Sequence, residues 1–179
     1  EKSHGEEHPQ VAVALNNLGL LLKETNRHEE AEPLMKRALS IDESSYGPEH
    51  PTVARDLNNL GQLLKETNRH VEAEPLMERA LSIDESSYGP EHPTVAIRLN
   101  NLGQLLQATN RHVEAEPLMN RVVRILLLFT KRTGHEHPHL RVVIGNYASL
   151  LQEMGRSEED ILAALAKVKR EAGNPPEAE

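Results

Sequence analysis

A row of carboxamides is the first feature of this sequence that could do chemistry. Asn16-Asn17 recurs as Asn58-Asn59 and Asn100-Asn101, each pair set between leucines, and Asn146 stands at the corresponding place further on. A carboxamide carries donors and an acceptor, as a peptide unit does, so such a row can hold an extended backbone. Beside them, at helical spacing, lie Arg55, Gln62, Lys65, Gln104 and Gln107. Asn16, Asn17, Arg55, Asn58, Asn59, Gln62, Lys65, Asn100, Asn101, Gln104, Gln107 and Asn146 are therefore the candidate peptide-binding residues. A blander reading has Asn17, Asn59, Asn101 and Asn146 tying neighbouring helices together or facing water. Binding is preferred for the inner asparagines. For Lys23 and Lys65 a solvated charge is the first reading, because surface lysines contribute little.

Other chemistry is argued against. His135-x-His137-x-His139 would align three imidazoles on a strand, but here it spans a loop and a helix start, and there is no cysteine. We expect no metal and no cofactor. His28, His70 and His112 read as capping or turn residues. Glu-Ala-Glu at 30–32, 72–74 and 114–116 pairs carboxylates in every repeat, which suits helix starts better than a catalytic pair. No phosphate-cradling glycine loop or nucleophile elbow is present. No catalytic residue is assigned, and the chain is read as no enzyme.

The elements that must position these residues repeat. Gly19, Gly61 and Gly103 recur every 42 residues inside Leu-Asn-Asn-Leu-Gly, and Ala148 follows 45 residues later. A period in this range means a solenoid whose repeats bury a core only against neighbours. Each repeat opens on His-Pro (His8, His50, His92, His137), and proline suits the first helical turn because its missing N–H has no intrahelical partner there. That starts a helix A. Val11, Leu15, Leu18 and Leu22 make its apolar face. Gly19 costs about 1 kcal/mol against alanine in mid-helix, which suggests that another helix approaches closely. Asn26 tolerates the left-handed conformation that ends helix A. Helix B follows from His28, with Ala31, Leu34, Met35, Ala38 and Ile41 inward and glutamates at its positive end. Pro33 predicts a slight bend or a late start, and Gly47-Pro48 predicts the stop. Each pair, about 16–18 residues per helix, must be antiparallel because the turn is so short.

The repeats predict one array over 8–171, with units 8–49, 50–91, 92–136 and 137–171. Residues 1–7 match a connector, which reads as a fragment or processed product, and 172–179 read as a disordered tail. The first two repeats differ at only six aligned positions: 10/52, 13/55, 14/56, 20/62, 29/71 and 36/78. Such identity makes exchange of repeats between chains a hazard. In the third repeat Leu126, Leu127, Leu128 and Phe129 replace polar residues of helix B, which we expect to lengthen by about a turn. The preferred reading buries them beneath the last repeat; the other makes them a self-association surface. Helix A of the last repeat is placed at 138–154, and helix B from Ser157 with a capping sequence.

Composition narrows the partners. There are 20 Lys plus Arg against 28 Asp plus Glu, for a formal charge of −8. An acidic chain without a basic cluster fits neither nucleic acid nor anionic membrane. The lack of cysteine fits a reducing compartment, and the localisation expected is cytoplasmic. No apolar run approaches a membrane span.

Leu15, Leu18-Gly19, Leu22, Ala31, Met35 and Ala38 together resemble the tetratricopeptide repeat signature, and the 42-residue period with Leu-Asn-Asn-Leu is similar to the kinesin light chain subtype. The family's aromatic positions are mostly Leu or Met here. The resemblance implies an all-α fold, a right-handed α-solenoid of four antiparallel helix pairs, whose A helices line a concave peptide-binding groove. The function this implies is a non-enzymatic scaffold for a protein or peptide partner, bound as an extended segment or short helix. The alternatives are a self-associating array, homo-oligomeric or domain-swapped, and the regulatory repeat segment of a larger signalling protein or enzyme.

Overall fold

A computed structural model describes residue 5 and residues 7–173. It contains α1 (Pro9–Glu24), α2 (His28–Tyr46), α3 (Pro51–Glu66), α4 (His70–Tyr88), α5 (Pro93–Ala108), α6 (His112–Thr133), α7 (Leu140–Glu153) and α8 (Glu158–Gly173). Among the described residues there is no strand. The chain divides into two compact halves, Glu1–Ser87 and Tyr88–Glu179.

Local chemistry starts and stops these helices. Proline occupies the first turn of α1, α3 and α5, and the histidine before it is the cap. The Nδ1 atoms of His8, His50 and His92 each accept the backbone N–H two residues on, at 3.2 Å. Tyr46 stacks on His50 at 4.7 Å, and Tyr88 on His92 at 4.8 Å, which holds the capping rings in place. The fourth His-Pro keeps this bond but not the helix start. His137 Nδ1 accepts from the N–H of His139, and α7 begins only at Leu140, two residues after Pro138. The incoming backbone is held elsewhere: the His137 N–H donates to Thr130 Oγ1 at 3.3 Å.

Asn26, Asn68 and Asn110 are left-handed, with φ of 59°, 59° and 60°. At each, two backbone bonds close the helix: Arg27 N–H reaches Leu22 O at 2.8 Å, and Asn26 N–H reaches Lys23 O at 3.0 Å. These satisfy carbonyls that the helix end would orphan. Gly155 takes the same role after α7, with φ 78°. Helix α2 begins at His28 despite Pro33, so no late start occurs. Helix α6, at 22 residues, exceeds the 19 of α2 and α4 by the three inserted residues. At α8, Ser157 Oγ accepts from Asp160 N–H while Asp160 Oδ2 accepts from Ser157 N–H, a reciprocal cap; the Ser157 hydroxyl, donating to Asp160 Oδ2 at 2.7 Å, and then the Ser157 N–H hold the Asp160 carboxyl below its ordinary range. The predicted tail is shortened at its start. Helix α8 runs through Gly173 with Ala172 buried against the core, and residues 174–179 lie outside the described region.

Close helix approach sets the packing inside each pair. A Cβ on Gly61 would lie 2.8 Å from Met77 Cγ, one on Gly19 2.7 Å from Met35 Cγ, and one on Gly103 2.8 Å from Met119 Sδ. In the N-terminal half, Val53, Ala54 and Leu57 of α3 pack with Ala80 and Ile83 of α4, and Leu39 of α2 closes the cluster. The predicted apolar face holds for α3 and needs correction for α1. Leu60 is 3% exposed, whereas its equivalent Leu18 is 46% exposed. Helix α1 buries Ala12, Asn16, Gly19 and Leu22. The physical reason is the neighbour: α3 is covered by both α1 and α2 as well as by its own partner helix.

In the C-terminal half, α6 is packed by α5, α7 and α8. Leu126 and Leu128 are buried there, and Leu127 and Phe129 are half-buried. An exposed self-association surface therefore cannot be built from Leu126 or Leu128. Phe129 meets the edge of the His137 ring at 5.0 Å.

The Gly–Met contact predicts that Gly61→Ala destabilises the chain by about 1–3 kcal/mol, because buried Met77 cannot swing aside. Gly145 of α7 has nothing within 4 Å of a built Cβ, so Gly145→Ala should stabilise by about 0.5–1 kcal/mol. Urea unfolding of the two variants checks both signs; a neutral Gly61→Ala would mean that the approach does not require glycine.

Candidate peptide-binding site

The A helices place the predicted residues in two different situations. In the N-terminal half, Asn16 and Asn58 are buried. Asn59 Nδ2 donates to Asn16 Oδ1 at 3.1 Å, tying α3 to α1. The Asn16–Asn59 pair holds two helices together, as the blander reading had it for Asn59. Asn17 is exposed, and Arg55, Gln62 and Lys65 are half-buried. Lys23 is no isolated surface charge: it pairs with Glu66 at 2.9 Å, and His28 Nε2 lies 3.7 Å from the same carboxylate. His28, the first residue of α2, thus faces Glu66 of a neighbouring helix. Burial pushes the Lys65 ammonium below the ordinary lysine range, helped by the charge of Lys23 and opposed by Glu66. Arg55 is held inward by two buried carboxylates, those of Asp42 and Asp56, at 3.3 and 2.9 Å.

The C-terminal half has a cleft. Helices α5 and α7 form its walls, and α6 lies beneath. Ala96, Ile97, Asn100 and Gln104 come from α5, Val122 and Leu126 from α6, Val142, Val143 and Asn146 from α7, and His137 and His139 from the connector. Its volume is about 230 Å³. Cofactor and drug-sized sites run to roughly 300–1,000 Å³, so this cleft suits one side chain better than a small molecule. Asn146 Nδ2 donates to Asn100 Oδ1 at 3.4 Å, the counterpart of the Asn59–Asn16 bond. Each carboxamide offers two donors and two acceptor lone pairs, so a single mutual bond does not exhaust the pair. Asn101 is half-buried in the same half. Gln107 Nε2 donates to Glu153 at 2.7 Å, and His112 Nε2 lies 3.5 Å from that carboxylate. The tether at Lys23 is thereby repeated with an amide.

The imidazoles at the cleft mouth are not arranged as ligands. His137 Nδ1 accepts a backbone N–H, and burial, with the nearby His139, lowers its pKa. Among the described residues no group of three or more His, Cys, Asp or Glu side chains could hold a metal ion.

Ile97, Val122, Val142 and Val143 are cleft residues that the amide reading passed over. The signal was present at one helical position. Val13, Arg55, Ile97 and Val142 are equivalent, and an apolar residue there on α5 and α7 lies on a face otherwise polar. Leu126, a candidate self-association residue by sequence, forms part of the cleft floor.

Comparison with known proteins adds to this geometry. The tetratricopeptide repeat family model matches residues 1–44, 10–86 and 67–128. No curated protein matches the sequence. Among solved structures, nearly identical TPR-like repeats from a Podosopora anserina protein assigned to the kinesin light chains are similar, at 22% identity. The match covers 95% of this chain and 79% of that one, with a TM-score of 0.76. BtubC (BKLC) from P. vanneervenii is similar at 22% identity over 99% of this chain and 70% of that one, with a TM-score of 0.78. The N-terminal domain of stress-induced protein-1 (STI-1) from C. elegans gives 16% identity, 83% and 98% coverage, and a TM-score of 0.57. These likenesses establish the fold as an all-α helical-repeat solenoid. With a family model spanning most of its length, the chain belongs to the tetratricopeptide repeat family.

Proposed function

We propose that this chain is a non-enzymatic scaffold whose A helices bind a segment of a partner protein. Tetratricopeptide repeats generally serve as protein-interaction scaffolds. The cleft between α5 and α7 carries the reading. Its apolar floor and walls accept one aliphatic or small aromatic side chain, while Asn100, Gln104 and Asn146 line it within reach of the adjoining peptide backbone. Apolar burial supplies affinity at about 25 cal/mol per Å², and the amides supply orientation. An extended peptide or a short helix could present such a residue. The acidic net charge favours a protein partner over nucleic acid. Among the described residues no helix is long and apolar enough to cross a membrane.

One observation favours self-association as a second reading. Leu18 and Leu21 of α1 are exposed, although their equivalents Leu60 and Leu63 are buried by neighbouring helices. A second copy covering α1 would give a mass in solution that rises with concentration, and that Leu18→Gln with Leu21→Gln abolishes. A concentration-independent monomer would remove this reading.

Random-peptide selection tests the first. Val142, 61% exposed, walls the cleft, and Val113, 78% exposed, lies at the start of α6 outside it. A selected peptide should bind Val142→Glu at least about tenfold more weakly, a loss of about 1.4 kcal/mol, and Val113→Glu unchanged. Equal binding by all three chains, each equally helical, would move the site away from the cleft. Asn59→Ala is a poor probe, because it also unties α3 from α1.

A further inference from the structure

The α2–α3 junction contains an arrangement that peptide binding does not use. Asp42 of α2 and Asp56 of α3 are each 1% exposed. Asp42 Oδ1 and Asp56 Oδ2 are buried without a hydrogen-bond partner, and the other oxygen of each carboxyl is bridged by the same side chain. One cation serves both. The Arg55 guanidinium lies 2.9 Å from Asp56 Oδ1 and 3.3 Å from Asp42 Oδ2. One residue along α2, Glu43 is occupied by Arg79 of α4 at 2.7 Å.

Two ionised carboxylates cannot share a dry junction with a single guanidinium at low cost. The second negative charge has no partner, and burial forbids it water. One proton shared by the two carboxyls removes both problems: one carboxyl becomes a donor, the other accepts, and the cluster with Arg55 becomes neutral. We propose that Asp42 and Asp56 share one proton across the α2–α3 junction, and that its loss as the pH rises toward neutrality loosens this junction selectively.

The repeat provides its own control. The residues equivalent to Asp42 are Asp84 and Leu126, and those equivalent to Asp56 are Ala14, Arg98 and Val143. In the C-terminal half the junction therefore carries Leu126 and Val143, both buried and apolar. The helix pair closes there without a carboxylate, so the fold does not need this acid pair at that position. Replacing buried charged groups with packed apolar ones is often neutral or stabilising. Only the junction of α2 with α3 puts an acid at both equivalent positions.

The direction of the pH effect follows from Asp56. Burial first, then its hydrogen bond with Asp42, pushes its carboxyl up to about 7, against the pull of Arg55. The folded junction therefore keeps a proton that the opened chain has already released between the ordinary carboxylate range and about pH 7. Stability of the junction falls as pH rises through that window and is flat above it.

Two measurements test this. Carbon-13 carboxyl NMR of the intact chain should show the Asp56 carboxyl titrating near neutrality, with the Asp42 signal reporting the same step; an Asp56 step in the ordinary carboxylate range would overturn the proposal. Hydrogen exchange, corrected for its intrinsic pH dependence, should show α2 and α3 opening about tenfold more at pH 8.5 than at pH 6, since one pH unit of linked proton is tenfold. Helices α6 and α7 serve as the internal reference. The double variant Asp42→Leu with Asp56→Val copies the apolar pair and should lose that pH dependence. A variant that keeps the full tenfold change would sink the proposal. If the double variant does not fold, the NMR titration of the unaltered chain still separates a shared proton from two ordinary carboxylates.

Discussion

A glycine in helix A against a methionine in helix B is the contact on which the rest of the structure depends. At Gly19, Gly61 and Gly103 the backbone of helix A comes so near the partner that a Cβ would overlap Met35, Met77 or Met119. Glycine is a poor helix former, so the position costs local stability and recovers it through packing. Methionine suits the other side because its unbranched chain adapts to a narrow gap. The turn must agree with this contact. A left-handed asparagine reverses the chain within three residues, and its two backbone bonds leave no room for the pair to drift apart. Close packing on this side leaves the other face of helix A available to the next repeat or to a ligand.

The junctions between repeats are where the copies differ in kind. Each repeat meets only its neighbours, so a change at one junction need not be answered elsewhere. A Lys23–Glu66 ion pair in one half is replaced by Gln107 with Glu153 in the other. The acid pair of Asp42 and Asp56 gives way to Leu126 and Val143. The first three repeats keep their glycine–methionine contacts and their asparagine turns while these positions vary. The result is a charged, tethered A-helix face in the N-terminal half and an apolar cleft in the C-terminal half, made from almost the same repeat.

Two roles compete for the asparagines. An amide between two helices lowers the cost of burying polar atoms and sets the helix spacing. The same amide at the edge of a cleft can also meet a peptide backbone. In the N-terminal half Asn16 is sealed in and bonded to Asn59, so for that pair the tying role takes over. Beside the cleft, Asn100 and Asn146 tie α5 to α7 and also line the open space.

Much of the fold was legible in the residues, because local physics writes it there. The period of the Leu-Asn-Asn-Leu-Gly motif counts the repeats. His-Pro, Asn at the turn and Gly-Pro start and stop helices through dihedral preferences and orphaned backbone groups, which depend on a few adjacent residues. The glycine pointed to a close helix, and the three inserted residues to a longer α6. Burial and pairing were different. Leu18 and Leu60 sit in nearly the same octamer, yet one faces out and the other is sealed, since only α3 has further helices against that side. Nothing within a helix tells whether a neighbour covers it. Likewise Asp42 and Asp56 are fourteen residues apart on separate helices, and Ile97 and Val142 lie on helices with α6 between them in the chain. Sequence by itself determined the helices, their turns and their close pairs; tertiary packing decided which leucines are core, which amides are ties, which acids meet and where a cleft opens.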